Sequence, residues 1–139
     1  MKQSKITQST RGEWKSGQLK WCVLALLRRQ ERFAEEGSYP LITAKGLALL
    51  TGASYHSLQT LLLKWCRSLV IRRDETGFCR KCHGPVFGYS ITARGHKNFI
   101  MLTEGYISRR HHRWVQIDAT AMLQRLQAIQ AQLPEGVVI

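Results

Sequence analysis

The stretch that most constrains this chain is residues 44–63, AKGLALLTGASYHSLQTLLL. Two short apolar segments flank Gly52. A residue without Cβ turns at positive φ at little cost, so Gly52 marks a tight turn between two helices. Leu47 and Ala48 fall on the inner face of the first helix, and Leu58 and Leu61 on the inner face of the second. Ala48 is small enough to let the helices cross closely. An ordinary αα-hairpin in an all-helical core carries the same pattern, so the flanking sequence has to separate the two readings.

The flanks supply an ordered series of elements. Residues 16–36 repeat apolar side chains at three- and four-residue steps (Leu19, Cys22, Val23, Leu26, Leu27, Phe33, Ala34), with Gln30 the one polar residue on that face. This predicts a helix with Ser16 as its cap and Gly37 at its end. The segment YPLI, ending at Ile42, is too short and Pro-containing for a helix and reads as an edge strand. Thr43 caps the helix 44–50, and Ser54 caps a helix running to about Leu69. The inward stripe of that second helix is Leu58, Leu61, Leu62, Trp65 and Leu69. Its outward positions, His56, Gln59, Thr60, Lys64 and Arg67, are polar or basic, with Leu63 the exception.

Residues 70–91 then read as a β-hairpin: Val70 to Arg73 favour a strand, and Phe87, Tyr89 and Ile91 alternate with Gly88 and Ser90. The turn-rich DETGFCRKCHGP between them predicts a long loop. Thr92 caps a further helix, 93–103, with Phe99, Ile100 and Leu102 apolar. Residues 104–117 read as a basic connector containing Arg109, Arg110, His111, His112 and Arg113. Asp118 caps a last helix, 119–133, ended by Pro134. Its seam is Ala119, Met122, Leu126, Ile129 and Leu133, with heptad-like steps. A helix of about 15 residues is only ~22 Å long, too short to hold a dimer alone. The seam either packs on the chain's own first helix or adds to a dimer interface, and dimerisation is the expectation.

The order helix, strand, helix, turn, helix, hairpin, helix resembles the winged helix-turn-helix DNA-binding superfamily, the hairpin being the wing. The small residue before Gly52 and the apolar residues after it resemble its helix-turn-helix. Ile91-Thr92-Ala93-Arg94-Gly95 resembles the start of the post-wing helix in multiple-antibiotic-resistance-type and PadR-type regulators. The resemblance covers Leu19 to Thr103. It implies a mainly α fold with a small β-hairpin, flanked by an N-terminal and a C-terminal helix. It divides the chain into a flexible basic arm (1–15), a winged-helix domain (16–103), the connector (104–117) and a dimerising C-terminal helix (118–139). It also implies that Ser54, Tyr55, His56, Gln59 and Thr60 meet bases and nearby phosphates. Lys64, Arg72, Arg73, Arg80 and Lys81 would then neutralise phosphates.

Charge agrees with a polyanionic partner. The 139 residues carry 21 Lys and Arg against 9 Asp and Glu, a formal net charge of +12. At 44% hydrophobic the chain can bury a core of its own. The N-terminal segment lacks the apolar core of a secretory signal, and the longest apolar run, Cys22 to Leu27, is too short to span a bilayer. A cytoplasmic protein with no membrane partner is expected. There is no phosphate-binding Gly loop and no paired-acid motif, so no enzyme is expected. The expected function is sequence-specific transcriptional regulation by a homodimer on double-stranded DNA. The alternatives are a basic architectural protein with little sequence preference and a winged-helix module docking inside a larger complex.

Cys79-Arg80-Lys81-Cys82-His83 is the sharpest local motif. A C-x-x-C before a small turn resembles half of a zinc knuckle, and zinc wants four ligands. Cys79, Cys82 and His83 are candidates, with His96, His111, His112 or a second chain completing the set. A redox dithiol and a plain loop are the other readings, and no cofactor is required by the rest of the sequence. Cys22 and Cys66 fall on helices and are expected in the core.

Overall fold

The computed structural model describes residues 14–15, 17–36, 41–81 and 83–133. Residues 1–13 of the expected arm, the caps Ser16 and Gly37, Tyr39 and Pro40 of the edge segment, Cys82, and residues 134–139 lie outside these, as do the side chains of residues 33–36, among them Phe33 and Ala34.

The described residues form a mixed α/β fold. The elements are α1 (Gln18–Glu36), β1 (Ile42–Thr43), α2 (Ala44–Thr51), α3 (Tyr55–Arg67), β2 (Ile71–Cys79), β3 (Gly84–Ile91), α4 (Ala93–Glu104), β4 (Tyr106–Ser108), β5 (Arg113–Val115) and α5 (Ala119–Ala131). The strands make a three-stranded antiparallel sheet in the order β1-β3-β2 and a separate antiparallel pair, β4-β5. The expectation of one small hairpin therefore undercounts the β structure. β1 joins the hairpin as a third strand, and the expected connector is a second hairpin.

Local chemistry sets the helix starts. The side chains of Thr43, Ser54, Thr92 and Asp118 accept from the backbone N–H groups of Gly46, Ser57, Gly95 and Ala121, respectively. Each satisfies an N–H that the first helical turn leaves without a partner. Gly52 ends α2 at φ 70°, its N–H donating to the Ala48 carbonyl at 2.8 Å. Buried Thr51 donates its hydroxyl to the Leu47 carbonyl at 2.7 Å.

The core is built around α1. Trp21, Cys22, Val23, Leu24, Leu26 and Leu27 are all buried in one cluster with Leu47, Leu58, Leu62, Trp65, Ile71 and Ile91. So many consecutive buried positions make α1 a central helix, wrapped on more than the one stripe that periodicity implies. Burial pushes the Cys22 thiol up to about 12, as a thiol that packs as a small apolar group requires. Gln30 is 7% exposed. Its amide donates to the Tyr89 carbonyl at 2.8 Å and accepts from the Ile42 N–H at 2.5 Å. One buried side chain thus ties α1 to the two paired strands β1 and β3.

The C-terminal helix does not present the seam expected of a dimer. Met122, Leu126 and Ile129 are buried, and α5 packs on α2 and α1 of the same chain. The apolar stripe is consumed by the chain's own core, chiefly on α2 as well as the first helix. Trp14, at the end of the expected flexible arm, is also part of the fold. Its indole donates to the Thr51 carbonyl at 2.8 Å, and the Arg125 guanidinium lies 3.7 Å from its ring centroid.

Replacing Gln30 by Leu keeps the volume but strands a carbonyl on β3 and an N–H on β1. Urea unfolding of Gln30→Leu should show a loss of about 2 kcal/mol. A loss below about 0.5 kcal/mol would mean that the two strands do not depend on this bridge.

Candidate nucleic-acid interface

The outer face of α3 is built by the turn before it. Gly52 and the Ser54 cap aim the helix so that Leu58, Leu62 and Trp65 are buried. Tyr55, His56, Gln59, Thr60, Leu63, Lys64 and Arg67 are exposed on the remaining surface. α3 contains no Asp or Glu, so nothing on its surface repels an anion. Two of the expected contact residues spend their hydroxyls inside the helix. Ser54 accepts from the Ser57 N–H at 3.1 Å and donates to the Ser57 hydroxyl at 2.8 Å. Thr60 donates to the His56 carbonyl at 3.1 Å. The side chains with polar ends left for a partner are therefore Tyr55, His56, Gln59, Lys64 and Arg67.

The end of α3 differs from expectation. The helix stops at Arg67, and Leu69 adopts φ 61°. The Val70 N–H donates to the Trp65 carbonyl at 2.9 Å and the Leu69 N–H to the Cys66 carbonyl at 3.3 Å. This is the Schellman closure, usually made with Gly at the left-handed position. Leu69 is consequently turned off the inward stripe and is 64% exposed.

Three contacts from the next helix hold this closure. The Thr92 hydroxyl is shared between the carbonyls of Leu69 (2.5 Å) and Val70 (2.8 Å), and Arg94 Nη1 donates to the Ser68 carbonyl at 2.7 Å. A Cβ on Gly95 would stand 2.4 Å from the Val70 carbonyl oxygen. Only glycine lets α4 begin this close to the end of α3. The Thr92-Ala93-Arg94-Gly95 phrase thus has a packing role: it fixes α3 relative to the hairpin.

Between α3 and β2 runs a groove of about 660 Å³ lined by Gln59, Leu63, Cys66, Leu69, Arg73 and Tyr89, among others. The sequence places Gln59 and Arg73 in different roles, and the fold brings both to this one groove. The Arg73 guanidinium lies 4.4 Å from the Phe87 ring centroid, which orients it along the sheet. Arg72 reaches Asp74 at 3.7 Å with both side chains exposed, a loose pair that a phosphate can displace. Burial pushes up both the Cys66 thiol and the Tyr89 phenol, with Arg73 opposing in each case. Both groups stay neutral at physiological pH, so neither is an anionic partner for Arg73.

The hairpin is longer than the sequence implies. β2 runs through the expected loop to Cys79, and β3 starts at Gly84, with Arg80, Lys81 and His83 the described residues of the tip. Arg80 and Lys81 are exposed there, roughly 20 Å along the strand from Arg73. Asp74 and Glu75 lie between the two basic foci. Asp74 lines the root groove beside Arg72 and Arg73, whereas the stretch from Thr76 to Ser90 around the tip holds no carboxylate.

Of the expected metal ligands, Cys79 ends β2, His83 is exposed in the tip turn at φ 54°, and Cys82 lies outside the described residues. His96 does not join them: its Nε2 is 3.2 Å from Glu31 on α1. His111 and His112 sit in the β4–β5 turn. Among the described residues no group of three or more His, Cys, Asp or Glu comes together. No helix among them is long and apolar enough to cross a membrane.

Leu69 holds a backbone conformation that costs a side-chain-bearing residue about 1 kcal/mol. Leu69→Gly should raise stability by roughly that amount in urea unfolding, less the entropy that glycine adds to the unfolded chain. A clear loss of stability would show that the exposed leucine makes contacts worth more than the strain. No protein family, curated protein or solved structure matches this chain.

Proposed function

We propose that this protein binds double-stranded DNA through α3 and the β2–β3 hairpin and acts as a sequence-specific transcriptional regulator. The observation that carries this reading is the solvent face of α3. It is free of carboxylates, carries His56, Gln59, Lys64 and Arg67, and lies beside Arg72 and Arg73 across one groove. The element order, the strand order β1-β3-β2 and the glycine-turned helix pair also support it. The element order and the glycine-turned helix pair are what the winged-helix resemblance implies.

On this reading the roles divide by chemistry. The Gln59 amide pairs with an adenine edge in the major groove, and His56 donates to a guanine. Lys64, Arg67, Arg72 and Arg73 neutralise phosphates at the root of the hairpin, and Arg80 and Lys81 do so at its tip. Phosphate contacts position the protein, whereas base contacts choose the sequence. Ser54 serves as the helix cap that sets the entry of α3, and Thr60 presents its methyl group. A second reading, an architectural protein with little sequence preference, draws on the net charge of +12 and on basic residues lying away from α3.

Selection of bound sequences from a random DNA pool separates the two. The regulator reading expects a defined site, a changed site for Gln59→Ala, and for Arg73→Ala a loss on all sequences alike with a salt slope lower by about one. Recovery of no preferred sequence would favour the architectural reading. Equal losses on every sequence for both variants would contradict the division of roles.

A further inference from the structure

The β4–β5 hairpin carries a second surface that α3 and the first hairpin do not use. Its strands pair Ile107 with Trp114, and its turn holds Arg109, Arg110, His111 and His112, with Arg113 opening β5. All five of these basic or imidazole side chains are exposed. No Asp or Glu lies between Gly105 and Ile117. Tyr106 packs towards the core, whereas its neighbour Ile107 is 67% exposed and Trp114 59%.

Trp114 is exposed but not loose. Its ring lies against Gly105, where a Cβ would come 2.1 Å from the indole. The indole N–H donates to Gln116 Oε1 at 3.3 Å, and Gln116 Nε2 donates in turn to the Thr103 carbonyl at 3.1 Å. A large aromatic surface is thus held in place from the end of α4 and still faces water. Leaving so much apolar surface exposed forgoes burial energy, so a rigid exposed tryptophan points to a partner.

We propose that the β4–β5 hairpin is a second nucleic-acid contact that accepts an unpaired nucleotide. Trp114 is the stacking surface for the base, and Arg109, Arg110 and Arg113 neutralise the flanking phosphates. Aromatic stacking combined with arginines is the chemistry of single-strand recognition, because every base has a π face whatever its sequence. A stacked base requires a nucleotide free of its own neighbours, which an intact duplex does not offer. The site is distinct from the α3 groove. The Trp21 indole donates to Thr103 Oγ1 beside this hairpin, while Gln30 binds β1 and β3 at the other end of α1, ~14 Å along the helix. The proposal uses none of the residues assigned to duplex DNA and is tested apart from them.

The test is fluorescence anisotropy of the full chain at low salt with labelled oligothymidylate, oligouridylate and a mixed-sequence duplex. Trp114→Ala should weaken binding to single strands about tenfold and leave duplex binding unchanged, while Trp114→Phe retains most of the affinity. Arg109→Ser with Arg110→Ser should weaken single-strand binding and flatten its salt dependence. Equal affinity for the two oligomers assigns a site blind to the sugar, and a preference assigns DNA or RNA. Unchanged single-strand binding in Trp114→Ala, or equal losses on duplex and single strand, would overturn the proposal. Tighter binding of the unaltered protein to phosphatidylserine vesicles than to either oligomer would also overturn it. Circular dichroism checks each fold. Should Trp114→Ala fail to fold, Trp114→Leu decides, since it keeps apolar bulk without a π face: a loss supports stacking, and retained affinity refutes it. Single-strand binding that depends on Trp114 in a protein with no duplex affinity would sustain this site and remove the duplex reading alone.

Discussion

The arrangement of this protein depends on how the end of α3 is held. Three consecutive carbonyls, those of Ser68, Leu69 and Val70, accept hydrogen bonds from Arg94 and Thr92 at the start of α4. Carbonyls at a helix C-terminus have no partners within the helix, and these three find theirs at the start of α4. Meeting them from α4 fixes three directions at once: where α3 stops, where β2 begins, and how α4 crosses both. The left-handed Leu69 persists because these contacts over-determine it. The groove between α3 and β2, with Gln59 on one wall and Arg73 on the other, is the product of that junction.

Charge is distributed in keeping with that geometry. Three of the five acids whose side chains are described cap a helix or face a nearby cation. Asp118 caps α5, Glu31 meets His96, and Asp74 faces Arg72. α3 and the β4–β5 hairpin have none. Nine of the 21 Lys and Arg therefore form basic foci on α3, on the root and tip of the first hairpin, and on the second hairpin. Separate foci of this kind let one chain hold a polyanion at several points without a continuous basic surface.

Much of this was legible in the sequence because it is set locally. Helix caps depend on one side chain and the N–H groups next to it, so Thr43, Ser54, Thr92 and Asp118 could be placed without knowing the fold. Apolar periodicity located α1, α3 and α5 but could not say what each face packs on. The α5 stripe reads as a dimer seam or as core, with the dimer expected, and the contact with α2 that buries it comes from a segment far back in the chain. Gln30 stood out as polar on an apolar face, whereas its partners on β1 and β3 are long-range and leave no local trace. The second hairpin was hidden for another reason. Its strands are three residues each, and an arginine and histidine run closes its turn in place of the usual Gly or Asn. Such a run looks like a solvated connector until Trp114 is seen against Gly105.

The central claim is that duplex DNA lies against α3 and the root of the first hairpin. Amide chemical shifts recorded by NMR during titration with a selected duplex test it most directly. The expected result is that the largest changes fall on residues 55–64 and on Arg72 and Arg73, with α5 nearly silent. Changes confined to α5, or to the β4–β5 hairpin while α3 stays unmoved, would contradict it.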